Sequence, residues 1–118
     1  MKWTLDVERK DIDLGIQDNR FVLKTNGREL QFVVDQDIAC KMLMQIRAVM
    51  QKPWMPDEEM VEFIEGKALN MGFVLNSDDH WVMDLRYGSA GFHAALTRKE
   101  LERFSEVLGG YLSKVADN

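Results

Sequence analysis

The most constraining stretch of the chain is residues 12–32, where apolar and polar residues alternate across two tight turns. Asp18-Asn19 separates Ile16 from Arg20-Phe21-Val22-Leu23-Lys24-Thr25, and a two-residue turn there sets Ile16 opposite Phe21 and Leu14 opposite Leu23. Asn26-Gly27 supplies the positive φ angles of a type I′ turn, so Phe21 should face Phe32 and Leu23 should face Leu30. The same register puts Lys24 opposite Glu29 on the polar face. A slip by one residue would turn all of these apolar side chains into water. The stretch therefore predicts a three-stranded antiparallel meander with one buried face.

The rest of the chain reads as strands and helices around that meander. Trp3-Thr-Leu5-Asp-Val7 alternates as a short strand. After Leu30-Gln-Phe32-Val-Val34, Asp35 or Asp37 can cap a helix that runs to about Gln51, ahead of Pro53. Its apolar residues cover almost the whole circumference and leave mainly Lys41, Gln45 and Arg47 polar, which predicts cover on more than one side. Lys52-Pro53-Trp54-Met55-Pro56 is the proline-bearing connector. Pro56 with Asp57-Glu58-Glu59 suits the first turn of a helix extending to about Asn70, with Met60, Phe63 and Ile64 as its buried stripe. Strands are expected again at 72–75, 81–85 and 92–96. A four-residue loop at 88–91 would put Met83, Leu85, Tyr87, Phe92, Ala94 and Leu96 on one face and turn His93 outward near Arg86. Thr97-Arg-Lys-Glu100 is a capping box opening a last helix, whose Leu101, Phe104, Val107, Leu108, Tyr111 and Leu112 form one stripe.

Asp18-Asn19-Arg20-Phe21-Val22-Leu23 lies over Asp78-Asp79-His80-Trp81-Val82-Met83 at a spacing of sixty residues. Each half runs strand, acidic turn, strand, Gly-containing turn, strand and helix, as expected for a duplicated βββα unit. The expected fold is α+β: a two-layer domain with an antiparallel sheet and helices on one face. At 118 residues the chain suits one domain, with 1–52 as the first βββα-like half, 53–70 as connector and helix, and 71–118 as the second half.

Composition narrows the function classes. No run approaches the roughly 18 apolar residues of a membrane helix, and the first residues lack the apolar core of a signal peptide, so no membrane role and a cytoplasmic location are expected. Cys40 is the sole cysteine, which excludes an internal disulfide and a cysteine zinc cluster and is expected to act as a small buried hydrophobe. The net charge of −5 is uneven: residues 1–52 hold nine Lys/Arg against eight Asp/Glu, and residues 53–118 hold six against twelve. An acidic chain repels phosphate backbones unless a local basic face intervenes.

Asp78-Asp79-His80 has carboxylates and an imidazole suited to metal binding or proton transfer, yet its counterpart at 18–20 carries Arg20, which serves neither role. A turn entering a strand is the expectation, with no metal, no cofactor and no catalytic residue. Gly88-Ser89-Ala90-Gly91 lacks the phosphate-loop lysine and following helix, so it reads as a hairpin loop. Asp84, Arg86 and His93 are expected to meet outside the last hairpin as a candidate surface site. Met42, Met44 and Met50, with Trp54 and Met55, form the candidate partner-binding region, because methionine adapts to irregular surfaces and tryptophan anchors interfaces.

The repeated strand-strand-strand-helix order is similar in outline to the single-stranded nucleic-acid-binding PC4 and PUR-repeat folds. That resemblance implies a curved sheet presenting basic and aromatic residues, for which Arg20, Lys24 and Arg28 are the candidates; Arg9 and Lys10 complete a scattered basic set without dense aromatic interleaving. The leading expectation is a small acidic protein-binding module, of adaptor, chaperone, inhibitor or immunity-like type, associating with itself or a protein partner through the Met-rich helix. Single-stranded nucleic-acid binding is the alternative.

Overall fold

A computed structural model describes residues 2–4, 13–25, 28–51, 60–75 and 80–116. Its elements run β1 (Lys2–Thr4), β2 (Asp13–Gln17), β3 (Arg20–Thr25), β4 (Arg28–Val33), α1 (Gln36–Gln51), β5 (Met60–Ile64), β6 (Lys67–Leu75), β7 (His80–Tyr87), β8 (Ala90–Thr97) and α2 (Arg98–Ala116). The fold is α+β. Strands β2-β3-β4 make one antiparallel sheet, and the second sheet has the order β1-β8-β7-β6-β5, antiparallel except that β1 runs parallel to β8. Three strands followed by a helix occur in both halves, as β2-β3-β4-α1 and β6-β7-β8-α2. The strands are thus divided between two sheets instead of forming one continuous sheet. No helix among the described residues is long and apolar enough to cross a membrane.

The first meander has the register its alternation dictates. Ile16 pairs with Phe21, Leu14 with Leu23, Phe21 with Phe32, Leu23 with Leu30 and Lys24 with Glu29. Asp18 and Asn19 hold φ values of 51° and 62°, the left-handed pair that a type I′ turn requires and that short polar side chains tolerate. Thr25 pairs with Arg28, and the turn expected at Asn26-Gly27 lies outside the described residues. Phe21, Leu23 and Phe32 are fully buried, each withdrawing a side chain worth roughly 1.5–3 kcal/mol of transfer free energy from water.

Asp35 caps α1, its Oδ1 accepting from the N–H of Ile38 at 2.8 Å. Ile38, Ala39, Met42, Leu43, Ile46 and Val49 are buried, while Asp37, Cys40, Lys41, Met44 and Ala48 form an exposed stripe. The helix is therefore amphipathic and not covered all round. Cys40, expected in the core, is exposed because it lies three residues after Asp37 and four before Met44 and so shares their outer stripe.

The helix expected to reach Asn70 is replaced, from residue 60 onward, by the hairpin β5-β6. Glu65 and Gly66, with φ of 51° and 78°, form the turn that lets the chain reverse, and Met60 pairs with Met71 and Ile64 with Lys67. The predicted start of that helix, Pro56 to Glu59, and the rest of the connector lie outside the described residues. Phe63 does not join a buried stripe: alternation puts Ile64 inside and leaves Phe63 75% exposed.

Strands β7 and β8 are joined by a two-residue turn, Gly88-Ser89, and not by the four-residue loop 88–91. Gly88, at φ 62°, takes the first central position that a type II′ turn reserves for glycine, and its N–H reaches Ala68 O at 2.9 Å. Tyr87 therefore pairs with Ala90 and Leu85 with Phe92, two residues away from the expected register. Thr97 and Glu100 close the capping box: the Thr97 N–H donates to Glu100 Oε1 at 2.9 Å, and Thr97 Oγ1 accepts from Glu100 N at 3.1 Å.

Both helices cross to the other half's sheet. From α1, Gln45 Nε2 donates to Met71 O on β6 at 2.7 Å, and Lys41 bridges Glu62 on β5. From α2, Phe104 stacks on Phe21 of β3 at 5.7 Å, and the Tyr111 hydroxyl donates to Asn19 Oδ1 at 3.0 Å. The core lies between the helix layer and the inner faces of both sheets, and Phe32 on Tyr87 at 5.4 Å connects one sheet to the other.

Candidate functional site

The outward face of the second sheet follows from its register. Val61 on β5 is opposite Asn70, which is opposite Arg86, which is opposite Gly91; in the next row Gly72, Asp84 and His93 stand side by side; beyond them come Val74, Val82 and Ala95. In a two-layer fold this face has no helix over it and is normally polar. Here Phe63, Val61 and Val74 are 75%, 54% and 66% exposed. Two of these three belong to β5, which ends the strand order and so has a free edge among the described residues.

Met44, 64% exposed, stands on the other side of that edge. Lys41 reaches Glu62 and Gln45 reaches the carbonyl of Met71, the residue opposite Met60, so α1 runs antiparallel to β5 and carries Met44 past it. Lys41 also pairs with Asp37 at 3.2 Å. Its ammonium is held above the ordinary value by the Glu62 carboxylate first and by Asp37 second.

The turn that ends β5 is anchored from beneath by Tyr87, whose hydroxyl donates to Ile64 O at 3.0 Å and lies 2.9 Å from Glu65 Oε2. Burial raises the Tyr87 phenol above its ordinary value of 10.0, and the bond to Glu65 adds to the rise. Burial likewise raises Tyr111, with Asp35 adding to it. The folded chain holds these protons more tightly than the unfolded chain, so their contribution is complete below pH 10.0 and is lost as the pH climbs through the raised folded values. Denaturant titrations across the alkaline range should therefore show stability falling beyond about pH 10, with a shallower fall in Tyr87→Phe. An equal slope in the variant would exclude Tyr87 as a source.

Asp84, Arg86 and His93 are brought together in the middle of the outward face. Asp84 Oδ2 lies 3.3 Å from Arg86 Nε, and Asp84 Oδ1 lies 3.9 Å from His93 Nδ1. The two-residue turn makes Asp84, and not Arg86, the direct cross-strand neighbour of His93. A half-buried carboxylate between a guanidinium and an imidazole can orient polar groups of a docked molecule. His80 does not join them, because it sits opposite Thr97, four residues along β8 from His93 and so about 13 Å away. No group of three or more metal-ligating side chains occurs among the described residues. Asp78 and Asp79 lie outside the described residues.

The other candidates separate. Met42 is fully buried and Met50 half-buried, so of the three helical methionines Met44 alone meets solvent broadly. Met42 is a core residue because it lies on the α1 face turned to the sheets, and it presents no surface in the folded chain. Trp54 and Met55 lie outside the described residues. Arg20 and Lys24 share the outer face of the first sheet, where Lys24 is opposite Asp13 and 3.7 Å from Glu29. The Arg28 side chain lies outside what is described. Carboxylates on both neighbouring strands thus offset the expected basic strip.

Sequence reasoning missed Val61 and Phe63, since the spacing of Met60, Phe63 and Ile64 fits a helix as well as a strand; Val74 was expected in a strand, with no face assigned to it. It also missed a groove of about 500 Å³ between α2 and the β2-β3 turn, lined by Asp18, Asn19, Gly110, Tyr111 and Lys114. Comparison with protein family models, curated proteins and solved structures gives no match to this chain.

Proposed function

We propose that the protein is a non-catalytic protein-binding module whose contact surface is the free β5 edge and the outward face beside it, flanked by Met44. The observation that carries this reading is Phe63. An aromatic ring 75% exposed on an edge strand, beside exposed Val61, is costly to leave in water and is the residue type that dominates interface energetics. Asp84, Arg86 and His93 supply polar groups next to the apolar patch, the combination of apolar centre and polar surroundings found in protein interfaces. The acidic balance of the chain and the carboxylates around Lys24 favour a protein over a nucleic acid.

The test compares wild type with Phe63→Ser, immobilised and exposed to extract from the native source. Retained proteins should be lost with the variant, while its melting temperature stays within a few degrees because the ring is outside the core. Equal retention would remove Phe63 from the contact. A fluorescent single-stranded oligonucleotide titrated at low salt tests the alternative: binding that falls steeply with added salt and with Lys24→Ala would displace the protein-binding reading.

A further inference from the structure

We propose that β5 pairs with β5 of a second copy of this chain, antiparallel about a two-fold axis at Glu62. This rests on the protein-binding reading of the same edge and names its occupant. The Glu65-Gly66 turn is two residues long, so Ile64 and Lys67 form a hydrogen-bonded pair, and by alternation Glu62 and Met60 also direct their backbone groups to β6. The N–H and C=O groups of Val61 and Phe63 therefore point to the open edge. An axis at Glu62 sets Val61 opposite Phe63 of the second copy and Phe63 opposite Val61. Every free backbone group then finds its complement, and each exposed ring gains a β-branched neighbour on the outward face. An axis at Phe63 would instead match Val61 with Glu65, whose φ of 51° removes it from the extended conformation.

Charge permits self-pairing. Glu62 is the sole charge on β5, and an inward-pointing charge is one of the devices that keeps an edge strand from pairing. Lys41 cancels it here: the ammonium bonds Glu62 from α1, so two carboxylates meeting at the axis bring two ammonium groups with them. Among the β5 residues there is no proline and no lysine, and the pairing with β6 is free of bulges. A five-residue strand buries less than the roughly 800 Å² per partner of a standard interface, so the dimer should form at about 100 μM chain and dissociate on dilution.

Cysteine placement reads the register directly. In a Cys40→Ser background, Glu62→Cys puts two thiols in a non-hydrogen-bonded pair with Cα atoms about 4.5 Å apart, within disulfide reach. Val61→Cys and Phe63→Cys each face the other position, and identical residues sit about 8 Å apart, beyond that reach. Under a mild glutathione redox buffer, Glu62→Cys should yield covalent dimer at least tenfold faster than either neighbour, and Val61→Lys should abolish the concentration dependence of sedimentation seen in wild type. Equal cross-linking at the three positions, or a wild type that sediments as monomer at about 100 μM, overturns the pairing. A monomeric wild type that still captures another protein through Phe63 also overturns self-pairing, and it leaves the protein-binding reading standing.

Discussion

Phe104→Ala is expected to lower the unfolding free energy by about 3–5 kcal/mol, a large part of the 5–15 kcal/mol typical of a whole domain. Phe104 is fully buried on α2 and stacks on Phe21, which stacks on Phe32 at 4.8 Å, which tilts onto Tyr87 at 5.4 Å. This file of rings runs from the last helix through the first sheet to the second. Truncation leaves a cavity at the end of the file, and close-packed neighbours relax into it only in part. Guanidinium unfolding followed by both tryptophan fluorescence and circular dichroism measures the loss, and a change below 1 kcal/mol would contradict the burial.

The second large effect separates core from surface on one helix. Met42→Ala should cost about 2–5 kcal/mol, and Met44→Ala, two positions on, should stay within about 0.5 kcal/mol. Met42 has no exposed surface, whereas Met44 is 64% exposed. The same denaturation series decides the matter. Similar losses at both sites would mean that Met44 is covered in solution, while a small loss at Met42 would return it to the list of contact residues.

The first meander was readable because its alternation is unbroken through all three strands, so one pattern determines both register and buried face. The last hairpin was readable in its faces and not in its register. A shift of two residues leaves every side chain on its own side, and apolar alternation alone cannot choose between the loop 88–91 and the turn Gly88-Ser89. His93 was therefore expected outward, correctly, but beside Arg86 and not opposite Asp84.

Residues 60–70 were misread for a physical reason. Met60, Val61, Phe63 and Ile64 are apolar on both faces of β5, so the segment has no strand period, and a proline with three acids ahead of it suits a helix that would run on through these residues. The reversal depends on Glu65 in the left-handed region, a conformation glutamate enters rarely and at a cost of about 1–3 kcal/mol. Tyr87 helps to hold that turn, and such long-range support is invisible in a linear sequence. The exposed patch went unseen with it, because whether Phe63 faces core or solvent depends on the choice between helix and strand.

The parallel pairing of β1 with β8 sets a condition on how the molecule assembles. Lys2, Trp3 and Thr4 align with Gly91, Phe92 and His93, so strands near opposite ends of the sequence must meet. Loop closure over such a span is entropically expensive and raises the mean sequence separation of contacts, which slows folding. Among the described residues β1 pairs with β8 alone, so it waits for a partner until β8 has left the ribosome, with β5, β6 and β7 made in between. Six strands and a helix must therefore be made after β1 before β8 arrives to secure it.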